Sequence, residues 1–175
     1  GLVDQNNKVN FYDGKVRVID PQGSEFVKFV PSDYLDVIEE NVEEWTYVKL
    51  PYLKKVGWRG LVDGPASGIY RVGPLGRLNA SDGMATPLAQ QEYERMYETL
   101  GGRPVHSTLA FHWARLIELL YAAERTLELS RDEEITSKDI RNKPGPPGEG
   151  VGIVEAARGT LIHHYKLDEE GLAKK

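Results

Sequence analysis

Few residues of this chain could bind a ligand or move a proton at a fixed place. Its 4 histidines stand at positions 106, 112, 163 and 164. His163 and His164 are adjacent in a run that reads as a strand, so their side chains point to opposite faces and cannot share one ion. His163 is expected to pack with Leu161, Tyr165 and Leu167 and to be hydrogen-bonded, leaving His164 nearer water. His106 precedes a predicted helix and His112 edges its apolar face, both ordinary settings for a structural histidine. There is no cysteine. Disulfides, thiol nucleophiles, thiolate zinc sites and cysteine-held iron–sulfur clusters are therefore excluded within this chain. The runs Gly64-Pro65-Ala66-Ser67-Gly68 and Gly73-Pro74-Leu75-Gly76 lack the spacing of a phosphate or dinucleotide loop. No serine sits in a nucleophile elbow.

Glu155-Ala156-Ala157-Arg158-Gly159 differs in kind. It joins two predicted strands and puts a permanently charged fork of donors at a turn ending in glycine. Two readings stand: a surface turn with an ordinary arginine, or a cation held rigidly over a cavity.

These residues need a frame. At 175 residues and 19.6 kDa the chain suits one domain with a core of its own. Lys+Arg 22 against Asp+Glu 27 gives a net charge of −5, which excludes a generically basic nucleic-acid binder. No apolar run is long enough to span a membrane. The start, Gly1 to Gln5, lacks the basic and apolar regions of a signal peptide, so the cytoplasm is the expected location.

Asp13-Gly14 predicts a hairpin over 9–18, pairing Phe11 with Val16 and Val9 with Val18. Glu25 to Val30 reads as a third strand. Ser32 is the expected cap of a helix from about Asp33 to Glu44, with Leu35, Ile38, Val42 and Trp45 on one side. Residues 46–85 are rich in proline, glycine and aromatics and read as irregular chain packed on a core. Thr86-Pro87 starts a helix to Leu100. A second, from about 108 to 129, carries the stripe Leu109, Trp113, Leu116, Leu120, Ala123 and Leu127, widened by Ala110, Ala114, Ile117 and Tyr121. Arg115, Glu118 and Arg125 are placed outside that arc, and Glu124 and Glu128 towards it. Ser130 is expected to open a short helix before Pro144, and residues 151–167 to form a hairpin. The fold class is α+β: a single domain with two long packed helices and peripheral β-hairpins, β-rich over 1–31 and mainly helical over 32–143.

Four segments in order resemble the large (catalytic, alpha) subunit of nickel–iron hydrogenases, in its cytoplasmic multimeric branch. Glu155 to His163 is similar to the family's E-A-P-R-G-x-L-x-H signature. Trp45 to Pro51 is similar to W-S-Y-x-K-x-P, and Tyr70 to Asn79 to Y-x-V-G-P-L-A-R-x-N; His106-Ser107-Thr108 with Arg115 and Glu118 also fits. The resemblance implies reversible oxidation of molecular hydrogen at a nickel–iron centre bearing carbon monoxide and cyanide. It implies two partners: an iron–sulfur small subunit, and the remaining N- and C-terminal parts of the large subunit. The metal-binding C-x-x-C pairs of that family are absent, so the resemblance implies an internal fragment, inactive alone and without a cofactor of its own.

Carried onto this sequence, Arg158 corresponds to the catalytic arginine above the open metal site. Ala157, where many members have proline, lies with Arg158 in the cofactor-binding turn. Glu155 and His163 correspond to residues that orient it. The alternative reading is a cysteine-free relative acting as a structural or protein-interaction module.

Overall fold

Two long helices and three small antiparallel sheets make up the computed structural model, which describes residues 1–174. The first sheet has the order β1 (Leu2–Val3), β2 (Lys15–Ile19) and β3 (Glu25–Phe29). The second pairs β4 (Ile38–Asn41) with β5 (Leu50–Leu53), and the third β6 (Glu149–Ala156) with β7 (Gly159–Lys166). The helices are α1 (Tyr34–Val37), α2 (Pro74–Asn79), α3 (Pro87–Thr99) and α4 (Ala110–Leu129). The α+β class, the two long helices packed together and the antiparallel hairpins are as the sequence predicts.

One core lies among the helices. Ala89, Tyr93, Met96 and Tyr97 of α3 meet Ala114, Ile117 and Tyr121 of α4, with Leu75 and Leu78 of α2 between them. A second core, around Leu2, Val16, Phe29, Ile38 and Ile153, joins the sheets. Asn79 binds the loop between α3 and α4: its Nδ2 donates to the Val105 carbonyl, and its Oδ1 accepts from Val105 N and the Tyr97 hydroxyl.

Pro87 starts α3 without losing an intrahelical hydrogen bond. Thr86 does not cap it with its own side chain. Glu124 of α4 does so instead, accepting from Leu88 N and Ala89 N at 3.0 and 2.9 Å and from the Thr86 hydroxyl. Burial works against its charge, but these hydrogen bonds prevail and hold Glu124 below the ordinary glutamate pKa.

Three local expectations are overturned. Residues 9–12 do not pair with β2, because β1 takes that place with Leu2 opposite Val16. Phe11 packs on Tyr121 and its carbonyl accepts from Glu155 N. The helix over 33–44 shrinks to a 3-10 turn and the single turn of α1, and Ser32 caps nothing. Ile38 leaves in extended geometry to pair with Leu53 and bury itself in the second core. Sheet pairing there overrides a weak helix propensity rich in β-branched residues. The helix after Ser130 is only the 3-10 turn Glu133–Thr136, capped by Asp132.

The expected burial of α4 is also rotated. Ala110, Ala114, Ile117, Glu118 and Tyr121 face inward, while Leu109, Leu116 and Leu127 are more than half exposed. The two alanines let neighbouring backbones approach, and Glu118 is drawn in by an arginine beneath it.

Candidate functional site: a buried arginine clamp beneath the β6–β7 turn

Arg77 of α2 is 2% exposed and sits under the turn that joins β6 to β7. The sequence places it between Leu75 and Leu78 on a short helix begun by Pro74, so its stem runs into the helical core. Its Nε and Nη2 donate to Glu118 Oε1 and Oε2 at 2.6 and 2.8 Å. Its Nη1 donates to Glu155 Oε2 at 3.0 Å and to the Ala156 carbonyl at 2.7 Å. The Phe11 ring stacks 5.5 Å from the guanidinium carbon. Glu155 also accepts from Leu2 N at 2.8 Å and from the Thr160 hydroxyl. Burial opposes the charge of Arg77, but its two carboxylates outweigh this and raise its pKa further. Burial raises the pKa of Glu118 against the pull of Arg77.

The same cluster fixes the turn's backbone. Arg115 donates to the Ala157 carbonyl at 3.1 Å. A Cβ added to Gly73 would lie 3.1 Å from the Arg158 carbonyl, so α2 and the turn meet where only glycine fits. Every nitrogen of the Arg77 guanidinium is engaged, and the carboxylates it holds are occupied. The arrangement cannot supply a mobile proton or a free ligand; it locks α2, α4, β1 and the β6–β7 turn together.

Of the residues singled out from sequence, Glu155 lies at the centre of this cluster and Ala157 at its outer edge. Arg158 stands exposed at the tip. His163 is not brought to the turn: it lies opposite Gly152, exposed, with its ring against Tyr165. His164 takes the held position expected of His163, bridging the Tyr34 hydroxyl at 2.9 Å and Glu149 Oε1 at 2.8 Å. His106 reaches the Pro21 carbonyl, and His112 is exposed. Sequence reading missed Arg77 and misplaced Glu118. The signal for both was a charge set inside an apolar period, between Leu75 and Leu78 and between Ile117 and Tyr121.

No protein-family model matches the chain. It is 54% identical over 173 residues to the F420-non-reducing hydrogenase iron-sulfur subunit of Archaeoglobus profundus, a match covering 98% of this chain and 35% of the relative. The vhu subunit of the F420-non-reducing hydrogenase of Methanococcus voltae is 47% identical over 176 residues, covering 100% of this chain and 40% of that protein. The NAD-reducing hydrogenase HoxS subunit beta of Cupriavidus necator is 44% identical, covering 97% and 34%. Among solved structures, an NAD+-reducing [NiFe]-hydrogenase in the H2-reduced state superposes with a TM-score of 0.86 at 38% identity, over 98% of this chain and 37% of that one. The chain thus spans 34% to 40% of the length of these curated relatives.

These names correct the expected place of the chain in its complex. The 54% identical relative is named an iron-sulfur subunit, and the HoxS relative is a beta subunit. The expectation of a catalytic large, or alpha, subunit that oxidises hydrogen and pairs with a separate iron–sulfur small subunit is overturned by them. The expectation of a metal-binding family region fares no better. Among the described residues, no group of three or more His, Asp or Glu could hold a metal ion. An iron–sulfur cluster does not fit this stretch either, since the sequence offers no thiolate. No helix is long and apolar enough to cross a membrane.

Proposed function

We propose that this chain is a structural and protein-interaction module of a hydrogenase complex, in the position of the matching stretch of an iron–sulfur subunit. It contributes a rigid frame and recognition surfaces. Metal clusters, any nickel–iron centre included, are held by residues outside it. The observation that carries this reading is the saturated Arg77–Glu118–Glu155 clamp, which spends its charges on fixing elements far apart in sequence. Similarity to hydrogenase subunits over nearly the whole chain supports the setting. In this reading Arg158 is the frame's outward cation, offered to whatever packs over the β6–β7 turn.

An exchange experiment tests it. In the Archaeoglobus profundus subunit the matching 173 residues are replaced by this chain, and assembly of the hydrogenase is followed by size-exclusion chromatography and metal content. The exchanged subunit should enter the complex with its metals. An exchanged subunit that stays outside the complex, while the unexchanged one enters, refutes the module reading.

A further inference from the structure

Helix α4 has a second face. Opposite the side buried on α2 and α3, Leu109, His112, Leu116, Leu119, Ala123 and Thr126 are all exposed. They recur at intervals of three and four residues, the spacing of a helix–helix seam. Leu109 is 77% exposed, Leu116 62% and Leu119 64%. Beside the seam runs a groove of about 440 Å³ floored by Phe11, Tyr121 and Ala122 and rimmed by Arg115 and Leu129. A row of bare leucines along a helix is far more apolar than an ordinary monomer surface and marks a contact.

From this face we infer that α4 is the docking seam for one amphipathic helix, supplied by the part of the hydrogenase subunit that lies beyond the stretch this chain matches. The inference rests on the module reading above. The three-and-four spacing calls for a helix, because a strand repeats every two residues and would meet every second leucine out of register. Charge gives the partner's chemistry. Arg115 donates to a carbonyl, and among the described residues no carboxylate lies within ion-pair range of it. The docking helix therefore carries leucine-like residues at the same spacing and a carboxylate opposite Arg115. The relatives supply the source: the matched stretch is 35% and 40% of two hydrogenase subunits, which leaves most of each chain to cover it.

The exchanged Archaeoglobus profundus subunit provides the test. A photo-crosslinking residue is placed at position 119 and the adducts are mapped by mass spectrometry. Adducts should fall on one helical segment of the same subunit, outside the exchanged residues. Leu116→Asp with Leu119→Asp should cut the assembled complex at least tenfold, whereas Ile140→Asp, another exposed residue, should not. Circular dichroism of the isolated double variant should match the parent chain, since both side chains are already in solvent. Arg115→Glu should weaken assembly, and Lys in place of the opposing carboxylate should restore it. Adducts to a second copy of the chain, to lipid, or to no single segment overturn the inference, as does an unaffected double variant. If the unsubstituted exchange itself fails to assemble, the module reading falls and this one with it.

Discussion

Arg77 and Glu118 meet through two parallel hydrogen bonds, 2.6 and 2.8 Å long, although they stand 41 residues apart and each is under a tenth exposed. Forks matched to carboxylates are the strongest of side-chain contacts, and here one carries a third partner in Glu155. The geometry makes the cluster all-or-none.

Arg77→Met should therefore be severe. It strands two carboxylates in the core and removes the donor to the Ala156 carbonyl, a loss of about 3–5 kcal/mol by analogy with broken buried ion pairs. Urea unfolding followed by tryptophan fluorescence reads it. Arg77→Met combined with Glu118→Leu should cost less than the sum of the single changes, because the two residues share one interaction. Additive losses would show that the pair is not coupled.

The cap that α4 provides for α3 gives a pH-dependent prediction. Glu124 has a lowered pKa, so its contribution is fully present above the ordinary glutamate value of 4.5 and is lost as pH falls through the lower folded value. Glu124→Ala should cost about 1 kcal/mol at pH 7, as lost helix caps do. Below about pH 3 the parent and variant should converge. Thermal melts across that range check it, and a constant difference would remove Glu124 from the cap.

Turn placement and turn charge should separate cleanly. Gly73 has φ +86° and ψ −171°, a region open in practice to glycine alone, and it abuts the Arg158 carbonyl. Gly73→Ala should cost about 1–3 kcal/mol. Arg158→Ala should change stability by no more than about 0.5 kcal/mol, as its side chain is exposed. A large loss from the latter would mean that the arginine holds the turn rather than being held by it.

Reconstitution with iron and sulfide under anaerobic, reducing conditions should yield no cluster on the chain. Thiolates are the ligands such clusters need, and the sequence has none. Stoichiometric iron remaining after desalting, with charge-transfer absorption, would contradict this.

Elements with a long, strong period were legible from sequence: α3, α4 and the β6–β7 hairpin lie within a residue or two of expectation. Short segments were not. Asp13-Gly14 signals a turn, yet the partner of β2 is Leu2–Val3, and nothing local says which strand wins. Ile38 fits the helical period of its neighbours and still leaves for β4, because its burial depends on Leu53 and the distant sheet core. At the site, Glu155 stood out through its motif, whereas Arg77 looked like one more surface cation. Its worth lies in Glu118 and Glu155, at separations of 41 and 78 residues that no window reveals. Periodicity gave α4 a wide apolar arc without saying which half the chain itself would cover.

Asn79 behaves towards Val105 as a neighbouring strand would, taking its N–H on one atom and giving a hydrogen to its carbonyl with another. One side-chain amide thus replaces a length of peptide, and the loop is threaded to α2 in a single register. Asparagine is the shortest residue that can do both jobs at once. Aspartate at this position would meet the Val105 carbonyl with oxygen, so spontaneous deamidation, which swaps that nitrogen for oxygen, would turn the latch into a repulsion. Ageing of the purified protein at alkaline pH would then loosen the 100–109 loop before any helix melts.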